Sequence, residues 1–79
     1  MPTVLRAGPY RFFFWSNESN EGPHVHVERD DQSAKFWLEP LNLASNYGFP
    51  SHELNKIKSM VAENSALCME KWNEHFSRR

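Results

Sequence analysis

The stretch His24-Val25-His26-Val27-Glu28 decides how the rest of this chain is arranged. Successive side chains of a β-strand point to opposite faces of the sheet. The two valines therefore share one face, which we expect to enter the core. The two histidines and the glutamate share the other face. The stretch predicts a half-buried strand over about residues 24–29, with a polar face that carries two imidazoles and a carboxylate.

A second strand over residues 34–38, Ala-Lys-Phe-Trp-Leu, has the same alternation. If Asp31 and Gln32 form a two-residue turn, these residues lie opposite each other: Glu28 and Lys35, Val27 and Phe36, His26 and Trp37, Val25 and Leu38, and His24 and Glu39. All the apolar residues then fall on one face, whereas a slip by one residue would mix the faces. We therefore predict a β-hairpin, with a longer loop of the same parity left open because the turn lacks glycine.

Two further strands are predicted before this hairpin, over about residues 3–6 and 10–16, with Gly8-Pro9 as the turn between them. Three consecutive phenylalanines, Phe12 to Phe14, make both faces of the second strand apolar. Residues 41–44 fit either a short edge strand or a turn of helix.

A helical pattern begins at Ser51, which we take as the N-cap, with Glu53 in the first turn. The apolar stripe of this helix consists of Leu54, Ile57, Val61, Cys68, Trp72 and Phe76. The helix is expected over about residues 51–76, longer than any strand, so that its end extends past the sheet and exposes two aromatic rings to a partner. Met60, Leu67 and Met69 flank the stripe and could contact another subunit or the residues before the helix.

These elements predict one α+β domain over residues 1–79: a three- to four-stranded antiparallel sheet of β-hairpins, packed on one face by a long C-terminal helix. We expect the helix to cover Val25, Val27, Phe36 and Leu38. The histidine face would then be open, or covered by the 16–23 loop or by a partner.

Composition narrows the class of protein. A chain of 79 residues buries only about 60% of the surface that its unfolded form exposes. The formal charge of −1 lacks the broad basic character of nucleic-acid binders, although a local patch that binds RNA or DNA remains possible. The single Cys68 suits a reducing compartment, and neither a leader nor a membrane span is evident. A cytoplasmic protein is expected.

The histidine pair is a candidate metal site, because two imidazoles at alternate positions of a strand converge on one side. Glu28 lies roughly 13 Å from His24 along the strand and is too far to share one ion. The better trio is His24, His26 and Glu39, which could hold zinc or another divalent ion. The alternative is a solvated strand face without any cofactor.

The same residues could also form a catalytic site. Glu39 could orient His24 as an acid–base group, with His26 beside it and Lys35 stabilising negative charge. Arg6 and Arg11 lie on strands that could share the sheet. Histidine with lysine or arginine on a strand face is an arrangement found in small metal-independent ribonucleases.

Other residues of the polar face have simpler interpretations. Trp37 could stack on a nucleic-acid base or pack against Trp15. Glu28 and Lys35 would form a cross-strand ion pair that contributes little. Cys68 on the apolar stripe is expected to be buried and unreactive.

Several segments together resemble a known family: Pro-Thr-Val-Leu-Arg (2–6), Tyr-Arg-Phe-Phe-Phe-Trp-Ser-Asn-Glu (10–18), Pro-His-Val-His-Val (23–27), Ala-Lys-Phe-Trp-Leu-Glu-Pro (34–40) and Leu-Ala-Ser-Asn-Tyr-Gly-Phe (43–49). They are similar to domain-of-unknown-function (DUF) family 4160, a set of small bacterial proteins. Members often have two prolines before the first histidine, where this chain has Gly22-Pro23. The resemblance covers nearly the whole chain.

The resemblance implies a protein partner more than a reaction, because genes of this family commonly lie beside those of another small family (DUF 2442) in a toxin–antitoxin-like arrangement. It directs attention to these polar positions: Arg11, Ser16, Asn17, Glu18, His24, His26, Lys35, Trp37 and Glu39. Arg11, Asn17, Glu18, Glu28 and Trp37 are the expected binding residues.

Three functional hypotheses follow. The first is an interaction protein of a two-gene module, acting through the polar sheet face and the helix end. The second is a small RNA-cleaving toxin that uses His24 and His26. The third is a metal-binding domain. The protein could also form a homo-oligomer.

Overall fold

The computed structural model describes residues 3–14 and 22–76, which form a five-stranded antiparallel sheet and two helices. The strands are β1 (Thr3–Ala7), β2 (Tyr10–Phe13), β3 (His24–Arg29), β4 (Gln32–Leu38) and β5 (Leu41–Tyr47). The helices are α1 (Ser51–Glu63) and α2 (Ser65–Phe76). Each strand pairs with the next along the chain, in the order β1-β2-β3-β4-β5.

The α+β class and the antiparallel hairpins are confirmed, whereas the expected number of strands was too small. The segment for which strand and helix were both open is the full seven-residue strand β5 at the sheet edge. Strand β4 begins two residues earlier than predicted, at Gln32. Strand β2 ends at Phe13, and the part of the predicted strand at residues 15 and 16 lies outside the described residues.

The predicted β3–β4 register was wrong by two residues. The observed pairs are His24 with Trp37, Val25 with Phe36, His26 with Lys35, Val27 with Ala34, Glu28 with Ser33, and Arg29 with Gln32. The turn consists of Asp30 and Asp31, and Asp30 adopts a left-handed φ of 57°. Aspartate tolerates this conformation better than most residues, so the hairpin needs no glycine. A shift of two residues keeps each side chain on its predicted face.

The chain passes from β5 to α1 through a compact link around Gly48. The Asn46 side-chain amide donates to the Phe49 carbonyl at 3.0 Å and accepts from the Phe49 N–H at 3.1 Å. Gly48 has a φ of 104°, and a Cβ at this position would lie 3.0 Å from Cγ of Gln32. Glycine is therefore required here by both the backbone angle and the space.

Both helices pack on the apolar face of the sheet. The buried sheet residues include Phe12, Val25, Val27, Ala34, Phe36 and Leu38. The helices contribute the buried side chains Ile57, Val61, Cys68 and Trp72, while Leu54 and Phe76 pack at the margin of the core. The predicted apolar stripe is thus confirmed. Within the described residues, neither helix has the length and apolar character needed to cross a membrane.

The expected single helix is broken at Asn64. This residue has φ −111° and ψ 17°, and its side-chain amide donates to the Met60 carbonyl at 2.8 Å. The expected overhang was wrong: Trp72 is only 5% exposed, and its ring meets Phe14 edge-on at 5.3 Å. Trp72 lies in the core and Phe76 packs against Phe14 and Trp72, so neither expected terminal aromatic extends past the sheet.

The start of α1 also differs from the prediction. Ser51 is the first helical residue, and the cap position belongs to Pro50, which makes no side-chain capping bond. Proline has no side-chain acceptor for the free N–H groups of the first turn. Ser51 has one, but it lies one position after the cap. Glu53 lies in the first turn as predicted.

Candidate functional site

The sheet face opposite the helices, called here the polar face, carries most of the predicted site residues. Its members lie on three neighbouring strands: Arg11 and Phe13 on β2, His24, His26 and Glu28 on β3, and Lys35 and Trp37 on β4. They share this face because they occupy alternate positions and paired strands keep the same parity. The sequence therefore placed the β3 and β4 members on the correct side.

His26 lies at the centre of the polar face. It is opposite Phe13 on β2 and opposite Lys35 on β4. Its ring stacks on the Phe13 ring, with centroids 5.4 Å apart and an interplanar angle of 25°. A half-buried imidazole thus has an aromatic ring on one side and an ammonium group on the neighbouring strand.

Cations lie over aromatic rings on both sides of His26. The Lys35 ammonium is 4.6 Å from the Trp37 ring centre, and the Arg11 guanidinium is 4.5 Å from the Phe13 ring centre. Such cation–π pairs contribute roughly 0.5–1 kcal/mol when exposed and more when desolvated. They hold the long basic side chains against the sheet.

Arg11 also forms an ion pair with Glu28, with Nη1 2.9 Å from Oε2. The prediction that Glu28 pairs with Lys35 was wrong, because the two-residue shift places Ser33 opposite Glu28. A different strand neighbour, Arg11 on β2, neutralises the carboxylate. Glu28 therefore pairs with Arg11 and not with Lys35.

His24 is fully buried at the start of β3. Its Nδ1 lies 2.9 Å from the Gly22 carbonyl oxygen, and a carbonyl only accepts, so Nδ1 carries the proton of this hydrogen bond. The ring lies 5.0 Å from Trp72, 5.1 Å from His26 and 5.6 Å from Trp37. His24 thus joins the polar face to helix α2 around the end of the strand. Of the two alternatives for the histidine face, open or covered, the face is covered at this residue.

Glu39 does not face His24, contrary to the predicted register. It is exposed in the β4–β5 turn, where it precedes Pro40 through a cis peptide bond, and Trp37 takes the position opposite His24. The backbone carbonyl of Gly22 accepts a hydrogen bond from the His24 ring. The predicted residues Asn17 and Glu18, with Ser16, lie outside the described part of the chain.

A metal site at the histidine pair was one sequence-based hypothesis. Within residues 3–14 and 22–76, no three His, Cys, Asp or Glu side chains come together as a group of metal ligands. The two histidine rings meet edge-to-face at an interplanar angle of 86°.

A second polar cluster lies on the helix side of the sheet and was missed from the sequence. Glu53 accepts hydrogen bonds from the Tyr10 hydroxyl at 2.7 Å, from Nε of Arg29 at 2.7 Å and from Nη2 of Arg29 at 2.8 Å. Two sequence features could have indicated it: Tyr10 and Arg29 fall on the apolar face of their strands, and an acid stands in the first turn of α1.

The charges of this cluster stabilise one another. The hydrogen bonds from Arg29, and then that from Tyr10, lower the pKa of the Glu53 carboxyl. Burial, and then the bond to Glu53, raises the pKa of the Tyr10 hydroxyl, while the bond to Glu53 raises the pKa of Arg29. The cluster joins α1 to β2 and β3, so it fixes the helix on the sheet.

Cys68 lies in the core, as expected, and burial raises the pKa of its thiol to about 11. A thiol reacts as the thiolate, so a buried thiol with this pKa is unreactive at neutral pH. The residue serves packing.

Comparison with known proteins gives a family and no closer relative. No curated protein and no solved structure matches the chain. One family model matches residues 10–73, from the start of β2 to the last full turn of α2, and so spans the whole polar face. The resemblance seen in the sequence is thereby confirmed, and the chain belongs to the family described as a domain of unknown function (DUF4160).

Proposed function

We propose that this chain is an interaction protein, one member of a bacterial two-gene, toxin–antitoxin-like module, and that it acts by binding the partner protein with its polar face. The family resemblance suggests the module. Partner binding is the function that best fits this small domain. Its helices cover one face of the sheet, and the charged, histidine and tryptophan side chains lie on the other face.

The observation that carries this proposal is the pairing of Lys35 with Trp37. Tryptophan and arginine are enriched among the few residues that dominate protein interfaces. Trp37 is half-buried, so its ring is already held by its neighbours and loses little freedom on binding. The Lys35 ammonium lies over this ring, and the Arg11–Glu28 pair lies elsewhere on the same face; these charges can set the orientation of a partner.

The proposed surface is smaller than the sequence suggested. The helix end was included because Trp72 and Phe76 were expected to be exposed. Both rings instead pack around Phe14, at 5.3 Å and 5.9 Å between centroids. We therefore confine the proposed surface to the polar face.

The experiment is co-expression with the product of the adjacent gene, followed by co-purification and measurement of the Kd. Trp37→Ala should weaken binding by about 30-fold or more, as expected for the loss of a dominant interface residue. Lys71→Ala, an exposed change on α2, is the control and should leave the Kd unchanged. Failure to co-purify, or equal affinity of the Trp37→Ala variant, would contradict the proposal.

A second candidate function is RNA cleavage, which is favoured by one observation: His26 and Lys35 lie directly opposite on neighbouring strands. An imidazole beside an ammonium group could transfer a proton and stabilise negative charge on a phosphate. His24 is buried and so suits a positioning role better than direct contact with a substrate.

This alternative is tested separately from partner binding. His26→Asn keeps a side chain that forms hydrogen bonds and removes the titratable ring. If the protein is an RNA-cleaving toxin, this variant should lose toxicity and RNA cleavage while it still binds the partner. Unchanged toxicity of the folded variant, or no toxicity of the parent, would exclude the catalytic function.

A further inference from the structure

A groove lies on the helix side of the sheet, between edge strand β5 and helix α1. Its volume is about 200 Å³, and it is lined by Phe36, Leu43, Ser51, Leu54, Asn55 and Lys58. The apolar surface comes from Phe36, Leu43 and Leu54, and the polar surface comes from α1. This groove is separate from the polar face, because the sheet lies between them.

The groove is lined by residues of α1 at helical spacing and by residues of β4 and β5 that share one face of the sheet. Residues 51, 54, 55 and 58 lie at i, i+3, i+4 and i+7, which places them along one face of α1. On the sheet, Leu43 lies opposite the buried Phe36 and so points to the same side. Leu43 is 40% exposed at the sheet edge, so an apolar wall of the groove reaches solvent.

The groove would not be filled by a strand that extends the sheet. The β4–β5 pairing shifts register between Lys35 and Phe36, which leaves Ala44 as an extra residue in the middle of β5. A bulge of this kind interrupts the even row of backbone donors and acceptors that an added strand needs. An occupant must therefore bind through side chains inserted between β5 and α1.

The charges around α1 indicate the sign of the occupant. The exposed charged groups on the first two turns of α1 are basic, at Lys56 and Lys58, because Glu53 is engaged by Arg29. Among the described residues, Lys58 forms no ion pair. A second copy of this chain that docked symmetrically through this groove would bring another Lys58 to the same place and be repelled, whereas an acidic partner would be attracted.

The size of the groove indicates how much of the partner enters it. Pockets for drug-sized ligands hold about 300–1,000 Å³. A groove of about 200 Å³ is below that range and suits a single bulky side chain. We propose that this groove docks a short segment of another protein, inserting one bulky apolar side chain between Leu43 and Leu54 and placing an adjacent aspartate or glutamate at Lys58.

Peptides of twelve random residues displayed on phage provide the test. They are selected on the full chain, on Leu43→Ser, on Lys58→Glu and on Lys71→Glu, a matched charge reversal on α2 outside the groove. The proposal expects the full chain and Lys71→Glu to select a bulky apolar residue next to an acid. Synthetic peptides with this pair should bind Leu43→Ser at least 10-fold more weakly.

The charge reversal provides the sharper result. Lys58→Glu should select peptides in which lysine or arginine replaces the acid beside the apolar residue. Circular dichroism confirms that each variant is folded before selection, and both changed side chains are exposed. The proposal is overturned if no such pair is enriched, if Lys58→Glu still selects acids, or if Leu43→Ser binds the peptides as well as the parent. None of these results depends on whether the polar face binds the product of the adjacent gene.

Discussion

Glu53 accepts hydrogen bonds from Tyr10 on β2 and from Arg29 at the end of β3, and so fixes the first turn of α1 on the sheet. Its side chain is only 13% exposed, which leaves water little access to these bonds. The carboxylate also lies in the first turn of the helix, where the backbone dipole favours a negative charge.

The Glu53 cluster should make the stability of the fold depend on pH in the acid range. The folded-state pKa of Glu53 lies below its ordinary value of 4.5, so the unfolded chain binds the proton first as the pH falls. The stabilisation is therefore fully present above about pH 4.5 and is lost as the pH falls through the folded-state pKa. We expect the Tm to fall over this window in the parent, and to be lower at pH 7 and less pH-dependent in Glu53→Gln.

Thermal unfolding followed by circular dichroism between pH 3 and pH 7 measures this effect. Glu63→Gln is the control, because Glu63 is an exposed acid on the same helix with no ion pair among the described residues. A pH profile of Glu53→Gln that parallels the parent would show that the cluster does not contribute as proposed.

At the scale of strands and helices, the sequence predicted the faces better than the partners across each hairpin. Side-chain alternation has a period of two, so it distinguishes even from odd shifts but not one even shift from another. The predicted turn at Asp31 and Gln32 and the observed turn at Asp30 and Asp31 give registers that differ by two residues. Alternation alone cannot distinguish these two registers. The left-handed conformation of Asp30 decides between them, and composition alone does not reveal it.

The break at Asn64 was hidden for a related reason. The apolar stripe continues through the break at helical spacing, and asparagine within a helix is a weak signal. Cys68 and Trp72, which follow the break, pack in the core, and tertiary packing of this kind lies outside local sequence preference. Strand β5 was uncertain because Leu-Asn-Leu-Ala-Ser-Asn-Tyr contains no β-branched residue.

Trp72 should be essential for the docking of α2. Its ring contacts Phe14 and His24 as well as Phe76, and truncation of a buried tryptophan to alanine costs about 3–5 kcal/mol. This is comparable to the whole stability of a small domain, so Trp72→Ala should be largely unfolded or lose α2. If Trp72 were instead on an exposed overhang, the change would cost less than about 0.5 kcal/mol.

Urea unfolding followed by circular dichroism compares the variants. Trp72→Phe keeps an aromatic ring and should fold with reduced stability, which gives a measurable value if Trp72→Ala does not fold. Lys71→Ala, one residue away on the solvent side, should unfold with the parent's midpoint. A Trp72→Ala midpoint equal to that of the parent would contradict the observed packing of α2.

At the scale of the whole molecule, Cys68 reports on the core because it is the only thiol of the chain. Its burial and its pKa of about 11 both protect it from thiol reagents. A domain of this size has a stability of roughly 0.05–0.15 kcal/mol per residue, or at least about 4 kcal/mol in total. Labelling at pH 8 should therefore be about 10³-fold slower in buffer than in concentrated urea.

An aromatic-disulfide reagent followed by absorbance measures both labelling rates. Because only one thiol is present, the absorbance change has a single source. Equal rates in buffer and in urea would show that the helix side of the sheet opens freely, which would disagree with the complete burial of Cys68.

The candidate site was predictable in part. The sequence identified the polar face and its members on β3 and β4, because alternation along one strand is a local property. It assigned wrong partners to His24 and Glu28, and it missed the link between Glu53 and Arg29, which are 24 positions apart along the chain. Contacts of this kind depend on how α1 lies across the sheet, which no local pattern specifies.

The bulges at the two edges of the sheet have a consequence for the protein at high concentration. Besides Ala44 on β5, an irregularity between Thr3 and Leu5 interrupts β1, so neither edge offers an even template to a neighbouring molecule. Cross-β fibrils grow by adding chains to such templates. A chain that lacked Ala44 would present a regular, uncharged edge, and we would expect it to form fibrils at concentrations at which the parent chain stays dissolved.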